Sequence, residues 1–107
     1  MTINPVAMAF YLLKLLGPRP TFGPGDMTAD EAQLMGVHGT YWKAMLDRGV
    51  AIAFGPVIDP SGSWGLGIVK VEDEKEARAL TTTDPVIMAN RGFRYEFYPM
   101  LTVVSLE

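Results

Sequence analysis

The sequence contains no cysteine and a single histidine, His38, among its 107 residues. Without cysteine there can be no disulfide, no thiol nucleophile and no thiolate metal ligand. Lysine and arginine form no cluster and the net charge is -3, which argues against nucleic acid or an anionic membrane as the main partner. One histidine with scattered carboxylates has no metal-ligand spacing, so we expect neither a metal nor a cofactor.

Long hydrophobic runs are also scarce. The one candidate, VAMAFYLLKLL, starts at Val6 and is interrupted by Lys14. It is too short to span a bilayer, and no small-residue cleavage site follows it. We therefore interpret Val6 to Leu15 as a strand buried on both faces, and we expect the protein to be cytoplasmic. Nearly half of the residues are hydrophobic, so we expect one globular domain over residues 1–107.

The pattern of apolar and turn residues predicts four strands and two main helices. A long loop rich in glycine and proline, Gly17 to Met27, follows the first strand, and loops of this length are often functional. We expect it to border a cavity near the histidine and to be more mobile than the strands. Thr28 and Glu31 have the spacing of a capping box for a helix over about residues 29–48. The later elements are strands at 50–57 and 64–71 around a turn at 59–62, a helix capped by Asp73, a short helical piece after Asp84-Pro85, and a last strand at 93–100.

This order of strand, helix, strand, strand, helix, strand is typical of the ferredoxin-like fold. The fold is an α+β arrangement with an antiparallel sheet and two helices on one face. Several of the predicted strands are apolar on both faces, and the helices can cover only one of them. We therefore expect a homodimer in which the uncovered faces of two sheets pack together.

His38 lies in the predicted first helix. At about 100° per residue it shares a helix face with Leu34, Tyr41 and Met45, so we expect its ring to point toward the sheet. Two interpretations remain open: a core histidine with a structural hydrogen bond, which is common, or a functional imidazole. In either case the ring needs a polar partner, because burying an imidazole without one is costly.

Asp84 is the candidate partner. It stands directly before Pro85, and Asp followed by Pro is a usual way to begin a helix. Helix capping is therefore the alternative to a catalytic role. A carboxylate that caps a helix can also orient an imidazole, so the two interpretations are compatible.

Weaker signals mark other positions. Gly65 and Gly67 lie two apart on one face of a strand, which indicates the close approach of a helix or a ligand. Arg19 in the long loop could meet an anionic substrate, and Tyr41 could line a pocket or bind substrate. We interpret Gly55-Pro56 as a turn that ends the second strand.

The ordered set of short motifs resembles the YciI-related (YCII) family from about Thr28 to Met100. The shared features are a histidine on the first helix, a Gly-Pro after the second strand, a glycine-containing hairpin, an Asp-Pro after the second helix and a proline near the end of the last strand. In this chain they are His38, Gly55-Pro56, Gly62 with Gly65, Asp84-Pro85 and Pro99. The long loop departs from small members of that family.

The resemblance implies a dimeric α+β barrel with an active site built on a histidine–aspartate pair, here His38 and Asp84. Some relatives are associated with elimination or isomerisation of small cyclic organic molecules. We therefore expect a small enzyme without a cofactor, in which the histidine moves a proton and the aspartate orients it, with Tyr41, Arg19 and Gly65 near a small-molecule substrate. The alternative is a non-catalytic dimeric domain that binds a small ligand or accompanies another enzyme, with the histidine merely buried.

Overall fold

The computed structural model describes residues 7–106. Each predicted element is present, and the part of the first-strand prediction that falls on Val6 lies outside the described residues. None of the helices in the described part is long and apolar enough to cross a membrane. The elements are β1 Ala9–Leu16, α1 Ala29–Asp47, β2 Ala51–Val57, β3 Trp64–Val71, α2 Glu74–Thr82, α3 Pro85–Met88 and β4 Arg94–Met100.

The strands form one antiparallel sheet in the order β2-β3-β1-β4. Since β3 lies between β1 and β2, α1 crosses one face of the sheet in the split pattern of the ferredoxin-like fold. Trp42 and Met45 of α1 and Ala77 of α2 share one core with Leu13 and Val69 of the sheet. Both helices therefore pack on the same face, and the predicted α+β, ferredoxin-like fold is confirmed.

The two ends of α1 follow from local interactions. Thr28 Oγ1 accepts from the Glu31 amide over 3.1 Å, and Glu31 Oε1 accepts from the Thr28 amide over 2.9 Å. These bonds complete the predicted capping box. After the helix, Gly49 has a φ of 77°, which glycine adopts without the strain of a side chain.

One prediction about the second strand is wrong. Gly55 and Pro56 do not form a turn, because both lie inside β2 and pair with residues of β3. β2 is an edge strand, where a proline is tolerated. The chain turns instead at Asp59, whose carbonyl oxygen accepts from the Gly62 amide over 2.9 Å.

The second face of the sheet is apolar at its centre. Leu13 is fully buried against the helices, so its neighbour Leu12 points to the other face. Leu12 lies opposite Ile68 of β3 and Tyr98 of β4, and none of these three is fully buried in the single chain. The burial of β1 on both faces therefore depends on a second copy and stays a prediction.

Candidate active site

His38 and Asp84 are hydrogen-bonded within one chain, as predicted. Nδ1 of His38 lies 2.8 Å from Asp84 Oδ2 and 3.1 Å from Oδ1. The Asp84 side chain is fully buried, and the His38 side chain is 16% exposed. An ionised carboxylate can only accept hydrogen bonds, so Nδ1 carries a proton. The lone pair of the neutral ring is then on Nε2.

Helix packing brings these two residues together from 46 positions apart in the sequence. His38 lies on α1, and Asp84 is the N-cap of α3, where its Oδ1 accepts from the Val86 amide over 3.0 Å. The backbone of α3 thus holds the carboxylate in place while the carboxylate holds the imidazole. Capping and pairing are both functions of the same side chain.

Two aromatic side chains also donate to Asp84. The Tyr95 hydroxyl lies 2.5 Å and the Trp42 indole nitrogen 3.3 Å from Oδ2. The indole N–H also reaches the Tyr95 oxygen over 3.0 Å. Sequence analysis missed both residues, because an aromatic residue in a helix or strand predicts core packing and carries no signal of what its polar atom meets.

The charge of Asp84 is stabilised by these donors. Burial alone would raise the pKa of Asp84, but the hydrogen bonds from His38 and Tyr95 outweigh it, and the pKa lies below its ordinary value. Burial and the neighbouring Asp84 charge both raise the pKa of Tyr95. The aspartate is therefore the ionised partner and the tyrosine remains a donor. Within residues 7–106, no group of three or more His, Cys, Asp or Glu side chains could hold a metal ion.

A cavity of about 350 Å³ lies beside His38. Its wall includes Gly17, Phe22 and Met27 of the long loop, which confirms the prediction that this loop borders a cavity with the histidine. The greater mobility of the loop stays a prediction. Most of the remaining lining is apolar or aromatic, including Met35, Trp42, Phe54, Trp64 and Phe93.

Two glycines of β3 make room at this site. A Cβ atom on Gly67 would overlap the Trp42 ring, so the missing side chain allows the indole to lie against the sheet and reach Asp84. Gly65 lines the cavity itself. Of the two expected reasons for these glycines, helix approach therefore applies at Gly67, whereas an added Cβ on Gly65 would lie 3.3 Å from Leu15 Cβ, and contact of Gly65 with a ligand stays a prediction.

Arg19 and Tyr41 are not brought to the cavity lining. The Arg19 guanidinium is paired with Asp26 over 2.5 Å and with Glu31 over 2.7 Å. The Tyr41 hydroxyl donates to the Leu80 carbonyl over 2.6 Å. The Arg19 ion pairs fasten the long loop to α1, and the Tyr41 hydrogen bond joins α1 to α2. Both residues therefore support the walls of the cavity from outside.

Comparison with known protein families gives a match over most of the chain. The YCII-related domain matches residues 17–101, a range that includes the long loop, His38 and Asp84. No curated protein and no solved structure matches the chain.

Proposed function

The chain belongs to the YCII-related family, and we propose that it is a small acid–base enzyme whose base is Nε2 of His38. One observation carries the proposal. Nδ1 of His38 is bound to the buried Asp84 carboxylate over 2.8 Å, while the same ring lines an apolar cavity. This arrangement leaves Nε2 as the nitrogen that can accept a proton from a bound molecule.

The proposed reaction begins with removal of a proton from a carbon next to a carbonyl group. Nε2 of His38 takes the proton, and the imidazolium that forms is stabilised by the negative charge of Asp84. The imidazolium then returns the proton to another atom of the substrate, or to a leaving group. These two outcomes are an isomerisation and an elimination. General acid–base catalysis of this kind contributes roughly 10²- to 10⁴-fold in rate.

A non-catalytic ligand-binding or accessory domain is the alternative, and it would use the same cavity. The state of Asp84 favours the enzyme. A fully buried carboxylate is costly to keep ionised, and a cavity that only holds an apolar ligand has no need of that charge behind the imidazole. Three side chains, His38, Tyr95 and Trp42, donate to it here.

We further propose that residues 1–107 act as one domain in a cytoplasmic homodimer. Leu12, Ile68 and Tyr98 lie together on the sheet face opposite the helices. Burying that face against a second copy removes apolar surface from water and forms the dimeric α+β barrel that the family resemblance implies.

Solvent deuterium exchange tests the reaction without a known natural substrate. The protein is incubated in D₂O with a panel of uncharged ketones and lactones, and loss of the C–H signal next to the carbonyl is followed by NMR. We expect the wild-type protein to exchange at least one compound about 100-fold faster than His38→Gln. Gln33→Ala, exposed on the same helix, is the control and should match the wild type.

Equal rates for the wild type and His38→Gln, or no exchange of any compound, would contradict the enzyme proposal. Binding of these compounds without exchange would favour the ligand-binding alternative.

A further inference from the structure

We infer that Ser63 is a second polar contact for the bound molecule, and that this molecule is uncharged, mainly apolar and carries two hydrogen-bonding groups. The inference rests on the proposed function for the first contact, Nε2 of His38. Ser63 immediately precedes β3 and lines the same cavity. It lies close to Gly23 of the long loop, where an added Cβ would be 3.1 Å from Ser63 Oγ.

Most polar side-chain atoms of the cavity wall already have partners. The single hydroxyl proton of Tyr95 is donated to Asp84 over 2.5 Å. The Trp42 N–H is shared between Asp84 and the Tyr95 oxygen. The Trp64 N–H points to the Asp59 carboxylate, 3.3 Å away. A ligand could use these donors only by breaking an existing hydrogen bond.

Two polar side-chain atoms of the wall are not used in hydrogen bonds. Nε2 of His38 and Oγ of Ser63 have no hydrogen-bond partner among residues 7–106, and no side-chain nitrogen or oxygen in that part of the chain is both enclosed and unpaired. His38 and Ser63 both line the cavity, and Ser63 also lines a second, more open depression beside the long loop, so a ligand in the cavity can reach two residues with an unpaired polar atom. A neutral imidazole accepts at Nε2, whereas a serine hydroxyl can donate or accept. A hydroxyl group on the ligand suits either position, whereas a carbonyl group suits only Ser63, because Nε2 of the neutral ring has no proton to donate.

Among the described residues, 7–106, no Lys, Arg, Asp or Glu side chain lines the cavity. A ligand carboxylate or phosphate would lose its hydration there without a cation to replace it. The Arg19 guanidinium, in the loop above, is already paired with two acids. With neutral His38, the His38–Asp84 pair has a net charge of about -1, which repels an anion further. These features favour an uncharged ligand.

The volume sets the size of the ligand. At about 350 Å³, the cavity is about twice as large as the ~150 Å³ cavity that holds benzene in an engineered protein. A six-membered ring with two small substituents therefore fits.

Three small probes test the inference, with affinities measured by calorimetry or by NMR titration at about pH 7, where a carboxylic acid is ionised. 4-Hydroxyacetophenone is uncharged and has two hydrogen-bonding groups. 4-Hydroxybenzoate has nearly the same shape but is an anion. 4-Ethylphenol is uncharged and has one hydrogen-bonding group, a hydroxyl that can donate to Nε2 of His38. We expect 4-hydroxyacetophenone to bind at least about 10-fold more tightly than 4-hydroxybenzoate.

Ser63→Ala should weaken the binding of 4-hydroxyacetophenone by about 3- to 10-fold, the effect of one hydrogen bond. The same variant should leave 4-ethylphenol within about 2-fold, because its hydroxyl is the group that donates to Nε2 of His38. Ser61→Ala is the matched control, since the Ser61 hydroxyl is bound to Asp59 over 2.7 Å and does not line this cavity.

Binding of 4-hydroxybenzoate as tightly as 4-hydroxyacetophenone would overturn the uncharged class. An unchanged affinity of Ser63→Ala for 4-hydroxyacetophenone would overturn the role of Ser63, and no binding of any probe up to its solubility limit would overturn both. These measurements report binding alone. A failure of the proton-transfer proposal in the deuterium-exchange test is therefore distinguishable from a failure here.

Discussion

The hydroxyl of Tyr95 donates to Oδ2 of Asp84 over 2.5 Å, and Nδ1 of His38 is bound to the same oxygen. A residue of the sheet and a residue of α1 thus hold one carboxylate from two sides. Asp84 also caps α3 with its other oxygen. Its side chain cannot rotate without breaking one of these bonds, and the orientation of the imidazole follows from it.

Removal of the Tyr95 hydroxyl should loosen this arrangement. Tyr95→Phe keeps the ring but takes a charge-assisted hydrogen bond from a buried carboxylate, so we expect the free energy of unfolding to fall by about 2 kcal/mol. Urea unfolding measures the change. Tyr11→Phe is the matched control, since Tyr11 packs against the core on the helix side of the sheet and is not among the donors to Asp84, and it should stay within about 0.5 kcal/mol of the wild type. Equal losses in both variants would contradict the account.

The ionised form of Asp84 should make stability depend on acid pH. The pKa of Asp84 is lowered in the folded protein. Its contribution is therefore complete above the unfolded value of about 3.9 and is lost as the pH falls through the folded value. Asp84→Asn keeps an oxygen that can cap α3 but has no charge to titrate.

We therefore expect the difference in unfolding free energy between the wild type and Asp84→Asn to shrink as the pH falls below about 4. Urea unfolding at a series of acid pH values measures it. A difference that stays constant or grows on acidification would show that the charge of Asp84 does not stabilise the fold.

The ion pairs of Arg19 should hold the long loop in place against α1. The pKa of Glu31 is lowered to about 2, mainly by the hydrogen bond from Arg19. In Arg19→Ala we expect that pKa to rise toward 4.5, its ordinary value, and amide hydrogens of residues 19–26 to exchange faster. NMR titration of side-chain carboxyl groups and hydrogen exchange measure the two effects. Arg78→Ala, which removes a separate exposed ion pair on α2, is the control. An unchanged Glu31 pKa would refute the fastening role.

The uncovered sheet face should form the homodimer. Obligate interfaces usually bury upwards of about 2,000 Å² in total, and a charge at the centre of such a face is costly. We expect the wild type to be dimeric at micromolar concentration by light scattering, and Leu12→Asp to be monomeric. Val37→Asp places the same charge at a position of α1 that is 48% exposed and should remain dimeric. A well-folded wild-type monomer would rule out this interface.

The order of elements could be predicted because its signals are local. The spacing of Thr28 and Glu31 marks the start of α1, and Gly49 marks its end. The prediction that His38 faces the sheet followed from helical periodicity. The predicted topology, which places α1 and the segment after α2 on the same side of the sheet, permitted its pairing with Asp84, and the family resemblance implied that pairing.

The rest of the site depends on contacts that no local pattern records. Tyr95 and Trp42 meet Asp84 only after β4, α1 and α3 have packed together. Arg19 lies in a loop rich in glycine and proline, where an arginine suggests solvent or a ligand. Its partners are two acids 7 and 12 residues away, and the fold of the loop alone decides that they meet. The strand position of Pro56 likewise depended on β2 being an edge strand.

The protonation of the His38 ring is the most direct test of the central claim that Nε2 is the base. ¹⁵N NMR of the neutral ring identifies which nitrogen carries the hydrogen. We predict that Nδ1 carries it in the wild type, bound to Asp84 over 2.8 Å, that Nε2 is unprotonated, and that Asp84→Asn gives a mixture of the two tautomers. A neutral wild-type ring with its hydrogen on Nε2 would contradict the account, because that nitrogen would have no lone pair with which to accept a proton.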